Sequence, residues 1–328
     1  MKPARTLTFL AVAGLAAGLA TPAVTQTLWI VGTGAQGSLA FSTGTAISSL
    51  MNEKTKHKFR ARAMGGSSTV LPQVNENKVH FSLNNALETR HIFMGEGTFT
   101  GHALKNTRIV GGLYPLRVIY AVANNSRIRT LEDAKGGRIP SEFTSQTIFV
   151  ELTRAVLASA NLSAADFKGV PVSNYIKGGD LLARGKVDMA FIAPGSAGSR
   201  KQHAQMQKVD GLRFISIGSN AAAMQKVFPE AYPQPVKATS KIPGMVNDVV
   251  AMDYPFYLTT NRFVPADVIY DLTKAMHANK EYLVKAFGIF GRWTPDRDIG
   301  ARHSTTPFHP GAVKYLKEAG VWKGGIEG

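Results

Sequence analysis

Five short stretches of this chain combine residue types that can hold an anion without reacting with it. The first is Gly32-Thr33-Gly34, which follows an apolar run from Leu28 to Val31 and leads through Gly37 to Ser38. Gly65-Gly66 stands before Ser67-Ser68, and Asn84-Asn85 follows His80 to Leu83. Thr144-Ser145-Gln146 precedes a further apolar-periodic run, and Ala193-Pro194-Gly195-Ser196 closes the run from Val187 to Ile192. Glycine lets the backbone come close to a ligand, and the free N–H groups at a helix start attract negative charge. Hydroxyl and amide side chains beside them add donors. The candidate ligand contacts are therefore Gly32, Thr33, Gly34, Ser38, Ser67, Ser68, Asn84, Thr144, Ser145, Gln146 and Pro194. Tyr114 and Tyr175 lie near loops, where a tyrosine can wall a cleft and donate a hydrogen bond.

Other chemistries fit the residues less well. Gly32-x-Gly34-x-x-Gly37 has the spacing of a dinucleotide fingerprint, which needs an acidic residue about 20 positions on, at the end of the second strand. Glu53 has that spacing but precedes the strand, and the strand itself, Phe59-Arg-Ala-Arg-Ala63, carries arginines. Ser196 sits in Pro-Gly-Ser-Ala-Gly, not in the Gly-x-Ser-x-Gly turn of an activated serine. No His-Glu-x-x-His pair occurs, and His303 and His309 have no clustered carboxylates beside them, so nothing favours a metal site. No catalytic residue, cofactor or metal is expected.

The elements that must position these stretches alternate. Strand signals at 27–31, 59–63, 80–83 and 107–113 are separated by helical patterns beginning at Ser38, Ser67 and just past Asn85. The same alternation continues with strands at 117–123, 186–192 and 212–217 and a long helix carrying Ile148, Leu152, Val156 and Leu157. A Pro-rich irregular stretch is expected from Phe228 to Pro243, then one long strand over 249–259 and three closing helices. Such alternation predicts an α/β fold with mostly parallel sheet, in which ligands bind at the carboxyl ends of strands.

The chain has 328 residues, 44% of them hydrophobic, which predicts two lobes instead of one core. It has no cysteine, which rules out a disulfide framework and thiol chemistry. Its formal charge is +16, but the basic residues are spread out, with Lys54-Thr-Lys-His-Lys58 the one dense run. Nucleic-acid binding is therefore not expected, which leaves attraction to anionic lipid or an acidic partner, a basic field that draws in small anions, or a generally basic periplasmic composition as readings of the charge. Residues 1–26 read as a secretory signal peptide: Lys2 and Arg5, an apolar stretch from Leu7 to Ala20, then small residues to Thr25. Cleavage after Ala20, Ala23 or Thr25 fits, and the mature protein is expected in a periplasm.

An ordered set of motifs carries a resemblance. Val31-Gly-Thr-Gly34, Gly65-Gly-Ser-Ser68, Asp133-Ala-Lys-Gly-Gly-Arg138 and Gly185-Lys-Val-Asp-Met-Ala-Phe191 come first. Leu272-Thr-Lys-Ala-Met276 and the terminal His309 to Gly320 complete it. Over nearly the whole mature chain the sequence resembles the TAXI family of extracytoplasmic solute receptors, the binding subunits of tripartite ATP-independent periplasmic (TRAP) transporters. The resemblance implies a type II periplasmic-binding-protein fold, with two α/β lobes and a ligand cleft and hinge between them. Lobe one would comprise residues 27–118 and 249–328, and lobe two residues 119–248. It further implies a receptor, not an enzyme, with a small organic carboxylate as cargo and a TRAP permease as partner. The chain departs from that family at Pro140-Ser-Glu-Phe-Thr-Ser-Gln146, where a glycine-rich loop is usual. The competing function is an exported enzyme on the same fold.

Overall fold

The computed structural model describes residues 27–300 and 305–328. The expected signal peptide and His303 lie outside the described residues. The first part of the chain alternates as expected: β1 (Leu28–Thr33), α1 (Leu39–Lys54), β2 (Lys58–Ala63), α2 (Ser67–Asn75), β3 (Phe81–Asn85), α3 (Ala86–Met94) and β4 (Thr107–Gly112). The second part runs β5 (Leu116–Ala123), β6 (Arg138–Ser141), α4 (Ile148–Ser159), β7 (Lys168–Pro171), α5 (Tyr175–Ala183), β8 (Ala190–Ile192), α6 (Ala197–Gln205), β9 (Leu212–Ile215), α7 (Ala221–Val227), β10 (Tyr232–Val236) and β11 (Val249–Tyr254). It closes with β12 (Phe256–Asn261), α8 (Ala266–Ala278), α9 (Lys280–Ala286), α10 (Pro295–Asp298) and α11 (Pro310–Glu318).

Two sheets organise these elements. The first has the order β2-β1-β3-β12-β4, and the second β10-β11-β5-β8, with β9 also paired to β5 and β6 paired to β7. α1 turns Ala46, Ile47, Leu50 and Met51 inward, the face its apolar spacing predicts. From the other end of the chain α8 buries Val268, Ile269, Leu272 and Met276. β1 is parallel to β2 and β3, as an αβ crossover requires.

The sheets are less parallel than expected. β5 pairs antiparallel with β8, β9 and β11, and β12 antiparallel with β3 and β4. The cause is that strands carry the chain between sheets. β5 leads into the second sheet and β11 leads back beside it, so they run in opposite directions. The long strand expected over 249–259 is two strands broken at Pro255, which has no N–H to continue a ladder. β11 belongs to the second sheet and β12 to the first, so the sheet changes at Pro255, and on the outward path just before Leu116. The Pro-rich stretch also holds a strand. β10 lies at a sheet edge, where the missing N–H groups of Pro233 and Pro235 do least harm. Among the described residues no helix is long and apolar enough to cross a membrane.

Candidate functional site

The carboxyl ends of β1 and β3 and the starts of α1, α2, α3 and α4 converge on one cleft between the two sheets. It contains about 740 Å³ of space, part of it open to solvent. Gly32, Thr33, Gly34, Ser38, Ser67 and Asn84 line it from the side of the first sheet. Gln146, Phe149, Tyr175, Phe191 and Ala193 line it from the side of the second. Val70, Leu83, Val118, Ile148 and Phe256 make much of the remaining wall apolar.

Helix starts supply the polar part. Ser38 caps α1, its Oγ accepting from the Phe41 N–H at 3.1 Å. The first N–H groups of a helix have no acceptor inside it. In α1 the Leu39 amide donates to the Tyr175 hydroxyl at 3.3 Å, while the next amide, Ala40, finds no partner among the described residues. The same holds for the first amides of α2 and α4, at Ser67 and Ile148. Ala40, Ser67 and Ile148 all line the cleft.

Several expected contacts are occupied by protein. The Thr33 hydroxyl, itself buried, lies 3.1 Å from the carbonyls of both Gly34 and Arg62. Asn84 donates through Nδ2 to Ser82 and Thr259, at 2.9 and 2.7 Å, and its Oδ1 has no partner among the described residues. Gly32 is fixed by packing: a Cβ there would come within 2.6 Å of Val70 Cγ1. Tyr175 stacks on Phe149, with centroids 5.0 Å apart, and burial holds its hydroxyl above the usual tyrosine range, so it stays protonated.

Five expected residues lie outside the lining. Tyr114 is a core residue: it is fully buried, packs between Phe256 and Phe290 and bonds the Thr43 hydroxyl. Thr144 is exposed and its amide is spent on the Val172 carbonyl. Pro194 is buried one residue beyond the lining residue Ala193. Ser68 and Ser145 instead join the two sides of the cleft. Ser68 Oγ lies 2.8 Å from the Thr147 hydroxyl and accepts from the Thr147 amide at 3.0 Å. The Ser145 carbonyl sits where a Cβ on Gly66 would be, 2.1 Å away. Across the other rim the Gly198 amide donates to the Gly37 carbonyl at 3.0 Å. The cleft is thus held shut on both rims.

Sequence reading missed the charged members of the site. Glu88 lines the cleft at 3% exposure, and its Oε1 accepts from the Ser67 hydroxyl at 2.5 Å. Burial pushes its carboxyl up to about 7, against the opposing pull of that hydrogen bond. Asn85 caps α3 by accepting from the Glu88 amide at 2.8 Å, and this cap with an acid three residues on was the available sequence signal. Arg117 also lines the cleft, but Asp253 holds its guanidinium in two bonds of 2.7 Å, and Arg292 adds a third to Asp253 at 3.0 Å. Among the described residues no His, Cys, Asp or Glu cluster suited to a metal ion occurs.

Residues 31–320 match the profile of the NMT1-like family. The chain belongs to that family. Solved structures extend the likeness beyond sequence. One described as a periplasmic transporter is 12% identical, with 90% of this chain and 93% of that one covered and a TM-score of 0.55. PhnD1 from Prochlorococcus marinus (MIT 9301), in complex with methylphosphonate, is 8% identical, with coverage of 80% and 90% and a TM-score of 0.52. A substrate binding protein of an amino acid ABC transporter is 13% identical, with coverage of 80% and 100% and a TM-score of 0.50. At such identity the likeness is one of fold, and this NMT1-like chain has the two-lobed α/β architecture of periplasmic binding proteins.

Proposed function

We propose that this chain is a periplasmic solute-binding receptor that captures a small organic acid and delivers it to a membrane transporter. One observation carries the reading: Ala40, Ser67 and Ile148, whose helix-start amides have no partner among the described residues, all line one cleft between two sheets. Each such helix start favours an anion by about 0.3–1 kcal/mol when exposed, and by more when partly buried. The signal-like residues 1–26 and the similarity to periplasmic binding proteins support export. The ordered motifs favour a TAXI receptor serving a TRAP permease. We further propose that the two sheets move as two bodies, lobe one around β1–β4 and β12, lobe two around β5–β11. The joints are then the sheet changes before Leu116 and at Pro255.

A thermal-shift screen tests the function. Organic acids, amino acids, sulfonates, phosphonates and uncharged sugars are each added to the mature protein. A cargo at 100 times its dissociation constant adds about 2.7 kcal/mol, a clear rise in melting temperature. Stabilisation by an organic acid that mass spectrometry recovers unchanged is the expected result. Stabilisation by uncharged solutes alone, or conversion of the acid, contradicts the reading.

A further inference from the structure

Glu88 poses a problem for a cleft that holds an anion. Its carboxyl is more than nine-tenths buried in the same wall as Ser67 and Asn84, and among the described residues its one side-chain partner is the Ser67 hydroxyl. Among the described residues the charged and titratable groups around it offer no counter-charge. Tyr254 of β11 faces it with a buried hydroxyl kept neutral. Arg117 of β5 is committed to Asp253. On its own helix Arg90 is committed to Glu96. Asn84 adds a second acceptor, its unpartnered Oδ1. Two unit charges about 4 Å apart at an effective dielectric constant of about 20 oppose each other by on the order of a thousandfold in an equilibrium constant. A carboxylate solute and an ionised Glu88 therefore do not share this cleft.

We propose that Glu88 binds the solute as a neutral acid, so that seating the anion draws one proton from water onto the Glu88 carboxylate, whose new O–H then donates to the solute. This rests on the organic-acid reading above. The step is a proton transfer only: a solvent proton joins a carboxylate oxygen, and no other bond changes. The resting group is poised for it, since burial, opposed by the Ser67 hydrogen bond, pushes the carboxyl up to about 7. Ser67 is the positioning residue. Its hydroxyl donates to the ionised form and so sets how readily Glu88 takes the proton.

Calorimetric titration in buffers of different ionisation enthalpy counts the protons. The probes are succinate, 2-oxoglutarate and methanesulfonate, none of which carries an amine, with glutamate beside them. Wild type is expected to take up about half a proton per anion at pH 7 and nearly one at pH 8, its affinity falling about tenfold per pH unit above 7. Glu88→Gln keeps a neutral donor, so its binding should take up no proton and stay flat with pH. Ser67→Ala should move the onset of the fall to higher pH. Binding of an amine-free acid without proton uptake overturns this inference alone. Glutamate binding that tightens as pH rises, with the amine-free acids silent, also overturns it, because Glu88 is then paired with an ammonium. Failure of all four probes with wild type and variants overturns the organic-acid reading, and the inference with it.

Discussion

Glu88 alone makes stability depend on pH in an unusual direction. Its carboxyl titrates at about 7 in the folded chain, against 4.5 for the ordinary group, so between those values the folded state holds more protons than the unfolded one. Stability contributed at this site is therefore full below pH 4.5 and declines as pH rises through 7, by about 3 kcal/mol in all. Glu88→Gln removes the titration. Denaturant unfolding of both proteins at pH 5 and pH 8 should find the variant gaining about 2.5 kcal/mol on wild type between the two conditions, and an equal difference at both would refute the assignment. Little of this was legible in sequence. Asn85 and Glu88 announce a helix start, because capping is local. That Glu88 turns to Ser67 depends on a contact across 21 residues, between the starts of the helices that follow β2 and β3. For the same reason Tyr114 read as a cleft wall when packing had drawn it into the core.

At the scale of elements, the loops between strand and helix do two jobs that sequence reading merged into one. Gly32-Thr33-Gly34 and Ser38 belong to the cleft, whereas Gly65-Gly66 and Ser145 form a joint across it. Gly66 has an extended backbone, with φ 173, that any residue adopts, so its glycine answers to space alone. A side chain there meets the Ser145 carbonyl, which cannot yield without moving the loop that opens α4. That loop is itself constrained, because Glu142 and Phe143 both take positive φ and Phe143 is buried against Phe149. Gly66→Val should therefore leave the fold intact but hold this rim apart. Its affinity for the cargo is expected to fall at least tenfold, about 1.4 kcal/mol, with little change in circular dichroism. Undiminished affinity would mean that the rim contact plays no part in binding. Strand and helix positions near this joint were readable from apolar periodicity, but the contact joins residues almost 80 positions apart, which no local pattern encodes.

Over the whole molecule, two sheets linked by β5 and the β11–β12 break enclose a cleft whose polar lining includes helix starts and Asn84, and in which Glu88 is a charged group with no counter-ion among the described residues. The alternation of strands and helices told the α/β class and the strand ends that border the cleft, since those follow from periods of 2 and 3.6. Sheet order and direction were not readable, because the antiparallel pairing of β5 with β11 arises from how the chain returns, not from any residue within it. The formal charge of +16, two units of it from Lys2 and Arg5 of the signal-like segment, gives a basic field of the kind that attracts anions at long range, in keeping with the proposed cargo. The decisive measurement is a calorimetric titration of the mature protein with the best acid from the screen, and with the amide of that acid. One site per chain should bind the acid at least tenfold more tightly than the amide, about 1.4 kcal/mol, and release it chemically unchanged. Equal affinity for acid and amide, or no binding of either, would contradict an organic-acid receptor.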